Sequence, residues 1–338
     1  MSRHSRLSSV CCGLTALLIS SAAAQASKKA PGPKEAAKAT DLPKAAAPGK
    51  HGPRLGVERS ETYYFGLLAV ARKEACTDLY VTLPIPIDWP EQKIEVLRED
   101  TSPHIKRVQY TMRDGVKQLR TRIPNIPEGD EASVVLTLKI TRRELQSPDD
   151  PSQLVVPEKL DSKFTVHLGA GPYIESNDPK IQALAKEVVG TKTGAWERVR
   201  AIYDWVRANI AFEEGPIKGA LQGLKDGTGD SEELTSLFIA LCRANKIPAR
   251  MVWVPDHCYA EFYLADRDGN GYWFPCELKG DGSFGHIVEF RPILQKGDNF
   301  ILPEKSSKRQ RYVSEFANWK TGRPRISFVR EKVDEKDK

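Results

Sequence analysis

Between Glu58 and Arg143 apolar and polar residues alternate with a period of two in short runs: Thr62 to Leu68, Leu79 to Leu83, Lys93 to Leu97, Arg107 to Thr111, Val116 to Ile123 and Ala132 to Thr141. These runs are rich in Val, Thr, Tyr and Ile and are broken by turn signals such as Arg113-Asp114-Gly115 and Pro127-Glu128-Gly129-Asp130, the signature of strands with one buried face. The pattern predicts an all-β sandwich of six or seven strands over residues 56–174. No His, Cys and carboxylate cluster falls inside it, so it reads as a positioning or partner-binding domain.

The period then changes to 3.6. Asp178 caps an expected helix with Pro179 at its first position, Ile181, Leu184, Ala185 and Val188 on one face, and Gly190 after its end. A second helix, Gly194 to Asn209, carries Trp196, Val199, Tyr203 and Val206, with Ile210 just beyond, at spacings of three and four. A Gly-rich approach from Pro216 to Gly229 leads to a third helix with Leu234, Leu237, Phe238 and Leu241 as its buried face. Arg250 to Val254, Tyr259 to Leu264 and Tyr272 to Phe274 then read as strands of an antiparallel sheet. The predicted class is α+β: a β-sandwich followed by helices packed on a sheet over residues 175–304.

The ends differ in composition. Arg3 and Arg6 precede an apolar stretch from Val10 to Ile19 and small residues at Ala22-Ala23-Ala24-Gln25-Ala26, which predicts a signal peptide over residues 1–26 and a periplasmic or extracellular destination. Residues 27–55 are Ala, Lys and Pro with few large apolar side chains, the composition of a disordered linker. Residues 305–338 read as a charged C-terminal tail that Phe316, Trp319, Ile326 and Phe328 could dock. The first 55 residues hold nine Lys or Arg against two acids, so the formal charge of +6 on the whole chain leaves the remainder near −1. The basic balance therefore does not point to nucleic acid, and no stretch reaches the length of about 20 apolar residues that spans a bilayer.

The candidate chemistry lies in Gly229-Asp230-Ser231-Glu232-Glu233-Leu234-Thr235-Ser236-Leu237-Phe238-Ile239-Ala240-Leu241-Cys242-Arg243, followed by Ile247-Pro248-Ala249-Arg250. His257 then stands in Asp256-His257-Cys258-Tyr259-Ala260-Glu261, and Glu277 in Trp273-Phe274-Pro275-Cys276-Glu277. This succession resembles the transglutaminase-like superfamily, related by fold to papain-like cysteine proteases, and in particular bacterial exported members with an N-terminal β domain. In that family a Gly-rich turn delivers a cysteine to the start of a helix, a His opens one strand and an Asp ends the next. The resemblance places Ser231 at the cysteine position, His257 at the His and Glu277 at the Asp. It implies a site that attacks a glutamine carboxamide or a peptide bond, with protein, peptide or cell-envelope polymer as partner and no cofactor. No metal-ligand spacing, G-x-G-x-x-G or Walker pattern is present.

Serine alters that chemistry. A helix start can lower a thiol's pKa from about 8.5, but a hydroxyl needs a general base during attack, with tight geometry and a prepared oxyanion hole. Ser231 is also a helix-start residue in an Asp230-x-x-Glu233 capping box, which is compatible with either outcome. Three functions stay open: a transglutaminase-like protein with impaired acyl transfer that binds peptide groups without turnover, a working Ser-His-Glu amidohydrolase or acyl transferase, and a cysteine enzyme in which Ser231 is a recent substitution. Gln222 is a candidate oxyanion donor, with Gly229, Asp230 and Trp253 as further candidate substrate-binding residues. His286 is a candidate to approach the cleft. Cys242 reads as a core thiol, about three turns into the nucleophile helix. If His257 and Glu277 face each other across neighbouring strands, Cys258 and Cys276 also fall opposite each other, either as a disulfide or as two buried thiols.

Overall fold

The computed structural model describes residues 51–302 and 308–333. The expected signal peptide and nearly all of the expected linker lie outside the described residues.

Two four-stranded antiparallel sheets form the first part of the fold. One contains β1 (Arg54–Val70), β3 (Gln92–Thr101) and β6 (Glu131–Gln146); the other contains β2 (Cys76–Ile85), β4 (Val108–Arg113) and β5 (Val116–Ile126). Alternation is legible in the burial. Tyr63, Phe65, Leu67 and Ala69 of β1, Leu79, Val81 and Leu83 of β2, and Val134, Leu136 and Leu138 of β6 enter one cluster, leaving the intervening residues on the other face. The strands run longer than their alternating stretches, because outer segments such as Glu58 to Ser60 are exposed and carry no hydrophobic signal.

The C-terminal stretch is not a loose tail. β17 (Arg325–Lys332) pairs with β1 from Tyr63↔Lys332 to Val70↔Arg325, and β16 (Phe316–Asn318) pairs with β2 at Thr82, Val81 and Tyr80. Each sheet thus gains a strand from the end of the chain, and Ile326, Phe328 and Ala317 pack against the shared cluster. Ile326 and Phe328 dock this charged stretch as the sequence allowed, and Arg330 and Lys332, on the same face further along the strand, are carried there by pairing with Glu315 and Glu61.

The second part surrounds one helix. α1 (Pro179–Val189) starts at Asp178, whose side chain accepts from Lys180 N, and α2 (Ala195–Asn209) follows. α3 (Ala220–Asp226) occupies what the sequence suggested was a Gly-rich approach; it ends at Gly227, whose φ of 70° is the left-handed conformation that suits glycine. α4 (Ser231–Ala244) is buried at every position from Glu233 to Arg243, not on one face alone. It packs against the other three helices, β9 (Ala249–Val254) and β10 (His257–Ala265). β9 and β10 belong to a five-stranded antiparallel sheet with β11 (Gly271–Glu277), β12 (Ser283–Phe284) and β13 (Gln295–Lys296). Two short ladders complete the topology: β7 (Ala211–Phe212) runs parallel to β8 (Thr228–Gly229), and β14 (Phe300–Ile301) pairs with β15 (Arg309–Gln310). The architecture is therefore mixed α+β.

The two parts share a buried seam behind β10. Gln92 donates to Ile87 O (2.8 Å) and Ile293 O (3.0 Å) and accepts from Ile293 N (2.6 Å), while Leu145, Val252, Tyr259, Ile287 and Ile293 pack together. Lys296 Nζ lies 2.6 Å from Glu91 Oε1 and 2.5 Å from Glu261 Oε1, and Arg250 Nη2 lies 2.7 Å from Glu261 Oε2. Buried ions carry a large desolvation cost, so removing one partner leaves an uncompensated charge in place. Burial pushes the Glu91 carboxyl up, and Lys296 and Arg142 bring it below the usual range. Arg243 of α4 is held likewise by Asp298 (2.8 Å) and the carbonyls of Ala249 and Gly169.

Two predictions follow from this packing. Phe328→Ala should lower unfolding free energy in urea by about 1–3 kcal/mol, less than a fully buried Phe→Ala because the ring is half-buried; a loose tail would give no change. His167 packs edge-on to Trp273, with its Nδ1 enclosed and without a hydrogen-bond partner, and burial beside Arg250 and Arg243 holds its pKa well below 6.5. Its folded pKa is lower than its unfolded one, so the unfolded chain takes up the proton first and stability falls as pH drops below about 6.5. Melting temperature between pH 7.5 and 5 should decline more in the wild type than in His167→Gln.

Candidate functional site

The turn before α4 is built around one carboxylate. Glu233, 2% exposed, accepts from the backbone N–H of Lys218 (2.9 Å), Gly219 (3.2 Å) and Asp230 (3.2 Å). Asp230 in return accepts from Glu232 N (2.7 Å) and Glu233 N (3.3 Å), completing the expected capping box. Gly229 is required here for space, since a Cβ on it would lie 2.4 Å from Glu233 Cβ. Burial and the neighbouring Asp230 raise the Glu233 pKa. Ser231 emerges from this turn as the first residue of α4, half-buried, where unpaired N–H groups and the helix dipole concentrate positive potential.

His257 opens β10 directly after the two-residue turn Pro255-Asp256, in which Asp256 has φ 56° and Arg291 Nη1 donates to Pro255 O (3.0 Å). His257 Nε2 lies 2.5 Å from Glu277 Oε2. The side chains are 10% and 20% exposed, so the contact is largely shielded from water. Glu277 is itself fixed: its Oε1 accepts from Lys279 N (2.9 Å) and its carbonyl from Tyr203 Oη (3.1 Å). Arg207 of α2 holds the following loop through the carbonyls of Leu278 (3.0 Å), Gly280 (3.0 Å) and Asp281 (3.1 Å). With Glu277 ionised, the bond calls for a proton on His257 Nε2, which leaves Nδ1 as an acceptor. Among the described residues no hydrogen bond joins the Ser231 hydroxyl to His257.

The register differs from the expected one in a way that matters for the cysteines. The loop closed by Asp266 N→Asn270 O (2.8 Å) sets Ala265 opposite Gly271, and Cys276 therefore faces Ala260, not Cys258. The shift of two residues preserves which face each side chain takes. His257 and Glu277 thus still meet, as diagonal neighbours, whereas Cys258 and Cys276 are not opposed and are free buried thiols, correcting the disulfide alternative. Cys258 Sγ instead donates to the Ser231 carbonyl (3.7 Å) from beneath the helix start. Burial raises the pKa values of Cys242, Cys258 and Cys276, which keeps these thiols protonated and excludes them as stand-in nucleophiles.

The other candidates separate. Gln222 lies on the exposed side of α3 with its amide donating to Asp226 Oδ1 (2.7 Å). Trp253, 6% exposed, donates from Nε1 to Gly297 O (2.8 Å) and contributes a ring wall without a free donor. His286 turns back to within 3.1 Å of the Phe284 carbonyl through Nδ1. The sequence analysis missed Arg311, which pairs with Glu232 beside Ser231, and Tyr173, which lies against Arg311. Neither has a local signal, because both arrive from distant segments. Among the described residues no group of three or more His, Cys, Asp or Glu could hold a metal ion, and no helix is long and apolar enough to cross a membrane.

Known proteins resemble this part of the chain. Residues 182–278 match the model of the transglutaminase-like superfamily, a span that includes Ser231, His257 and Glu277. The crystal structure of a candidate cysteine protease from Cytophaga hutchinsonii superposes with a TM-score of 0.54 at 17% identity, covering 82% of this chain and 92% of that one. A candidate protease from Parabacteroides distasonis aligns at 13% identity with a TM-score of 0.26, over 68% of this chain and 48% of its own. No curated protein matches the chain. Residues 182–278 thus form a transglutaminase-like core of the papain-like fold.

Proposed function

We propose that this chain is an exported transglutaminase-like protein that binds glutamine or peptide groups of proteins or cell-envelope polymers at the start of α4, with acyl transfer impaired by Ser231. The observation that carries this reading is an assembled His257–Glu277 pair beside a helix start that presents a hydroxyl without a hydrogen bond to the imidazole. A thiol there would ionise with help from the helix terminus and His257. Its sulfur would attack the carboxamide carbon, the C–N bond would break as the imidazolium gave its proton to the departing nitrogen, and water or an amine would resolve the thioester. A serine hydroxyl is not appreciably ionised near neutral pH, so the same steps require a general base to remove its proton during attack, with tight geometry.

The cysteine-protease description of the Cytophaga neighbour accords with a peptide-group ligand. The two N-terminal sheets, read together as a β-sandwich, fit a role in positioning that ligand or its carrier. Arg3, Arg6 and the apolar Val10 to Ile19 stretch support export to the periplasm or beyond.

A second reading, an active Ser-His-Glu hydrolase or acyl transferase, is favoured by one observation: the short His257–Glu277 contact orients the ring with Nδ1 free to act as base. Ammonia release and amine incorporation on a glutamine-rich protein separate the two. The wild type and Ser231→Ala should be equally silent, and Ser231→Cys should rise by about 10²-fold or more above both. Adding Glu277→Gln to the Ser231→Cys variant should remove most of that gain. Wild-type turnover that vanishes with Ser231→Ala would instead establish the serine enzyme.

A further inference from the structure

Arg311 lies between β15 and β16, in the stretch that carries the chain back from the core to the paired sheets. Its guanidinium pairs through Nη1 with Glu232, the residue after Ser231, and its centre lies 5.2 Å from the Trp253 ring centroid and 5.7 Å from that of Tyr173. Asp230 is near enough to act on its charge. The platform is fixed. Tyr173 holds a left-handed φ of 63° and its carbonyl accepts from Ala220 N (2.9 Å), next to the Gly219 that Glu233 tethers. Trp253 is locked by its bond to Gly297.

One edge of this guanidinium is unused. Nη1 is enclosed and ion-paired with Glu232 without a well-formed hydrogen bond, and neither Nε nor Nη2 makes a hydrogen bond among the described residues, on a side chain 29% exposed beside a Tyr173 that is 40% exposed. The Nε–Nη2 edge is a fork that can bind a carboxylate with two parallel hydrogen bonds, and the neighbouring Trp253 and Tyr173 rings restrict where the guanidinium can sit before a ligand arrives. Nearby negative charge does not cancel it. Asp230 is spent on two N–H groups of the helix start, and Glu232 is ion-paired at the opposite edge, Nη1.

We propose that the Nε–Nη2 edge of Arg311 receives a carboxylate of the bound peptide close to Ser231, which makes Arg311 a specificity-determining residue for acidic peptides. The proposal rests on the peptide-binding reading of the same cleft. A neutral or basic neighbour to the target amide would leave the fork facing water, and a carboxylate there would gain a paired, charge-assisted contact.

The test uses the mature full chain and two fluorescent peptides, one with Glu next to a central Gln and one with Gln at that neighbouring position, followed by anisotropy. The wild type should bind the Glu peptide about tenfold more tightly. Arg311→Gln should abolish that ratio while leaving the Gln peptide unchanged, and Arg311→Lys should restore only part of it, since an ammonium lacks the fork. An unchanged melting temperature separates these effects from unfolding. Binding of both peptides with no Glu preference, or a preference that survives Arg311→Gln, overturns the role of Arg311 alone. Tighter binding of both peptides to Arg311→Gln also overturns it, and would make Arg311 a strap that obstructs the cleft. Failure of both peptides to bind the wild type overturns the peptide-binding reading and the proposal with it.

Discussion

The site depends on the buried Glu233 carboxylate. It gathers the N–H groups of Lys218, Gly219 and Asp230 into one turn and so decides where α4 begins. Water cannot substitute for it at 2% exposure, and an unmet N–H in that setting costs about 1–3 kcal/mol. The surrounding sequence follows from it: Gly229 because a Cβ would collide with Glu233, Asp230 because the reciprocal cap needs a short acceptor, and Ser231 because the next residue is the first of the helix. α4 is then driven through the centre of the second core, with Arg243 bound to Asp298 at its far end. The residue at position 231 is thus placed by a cap that does not consult its chemistry.

That separation explains how the chain can keep the architecture of a transglutaminase-like core while carrying serine. His257 is placed by a tight turn pinned by Arg291, and Glu277 by Lys279, Tyr203 and the loop that Arg207 clamps. None of these contacts uses the Ser231 side chain. Under the proposed function, oxygen at this position in place of sulfur would leave the folding energetics nearly untouched and would withhold an accessible thiolate. Glu277 reaches the imidazole because the observed register makes the pair diagonal neighbours.

Much of this was legible in the sequence because it is local. The inward stripes of β1, β2 and β6, the Asp178-Pro179 start of α1 and the Asp230–Glu233 cap are each written within a few residues. What was hidden depends on long-range pairing. Residues 305–338 read as a charged tail that Ile326 and Phe328 could dock, but that it docks as a strand against β1 is set by pairing with a segment about 260 residues earlier. Nothing local marks Lys296, Glu91 and Glu261, all three of which the seam between the two parts of the fold buries. The register of β10 and β11 turned on a loop closed by Asp266 and Asn270, and that two-residue difference separated Cys258 from Cys276. Arg311 is the same case at the site itself, since no pattern near residue 311 points to residue 232.

The central claim, that the thiolate-generating architecture persists around an exchanged atom, is tested most directly by the pKa of the thiol in Ser231→Cys, read from the pH dependence of its alkylation. Cys76, Cys242, Cys258 and Cys276 are buried, and burial raises their pKa values, so the introduced thiol should dominate the reaction. The account predicts a value below about 7.5, moving upward when His257 is replaced by Ala. A value near the ordinary 8.5, indifferent to His257, would contradict it.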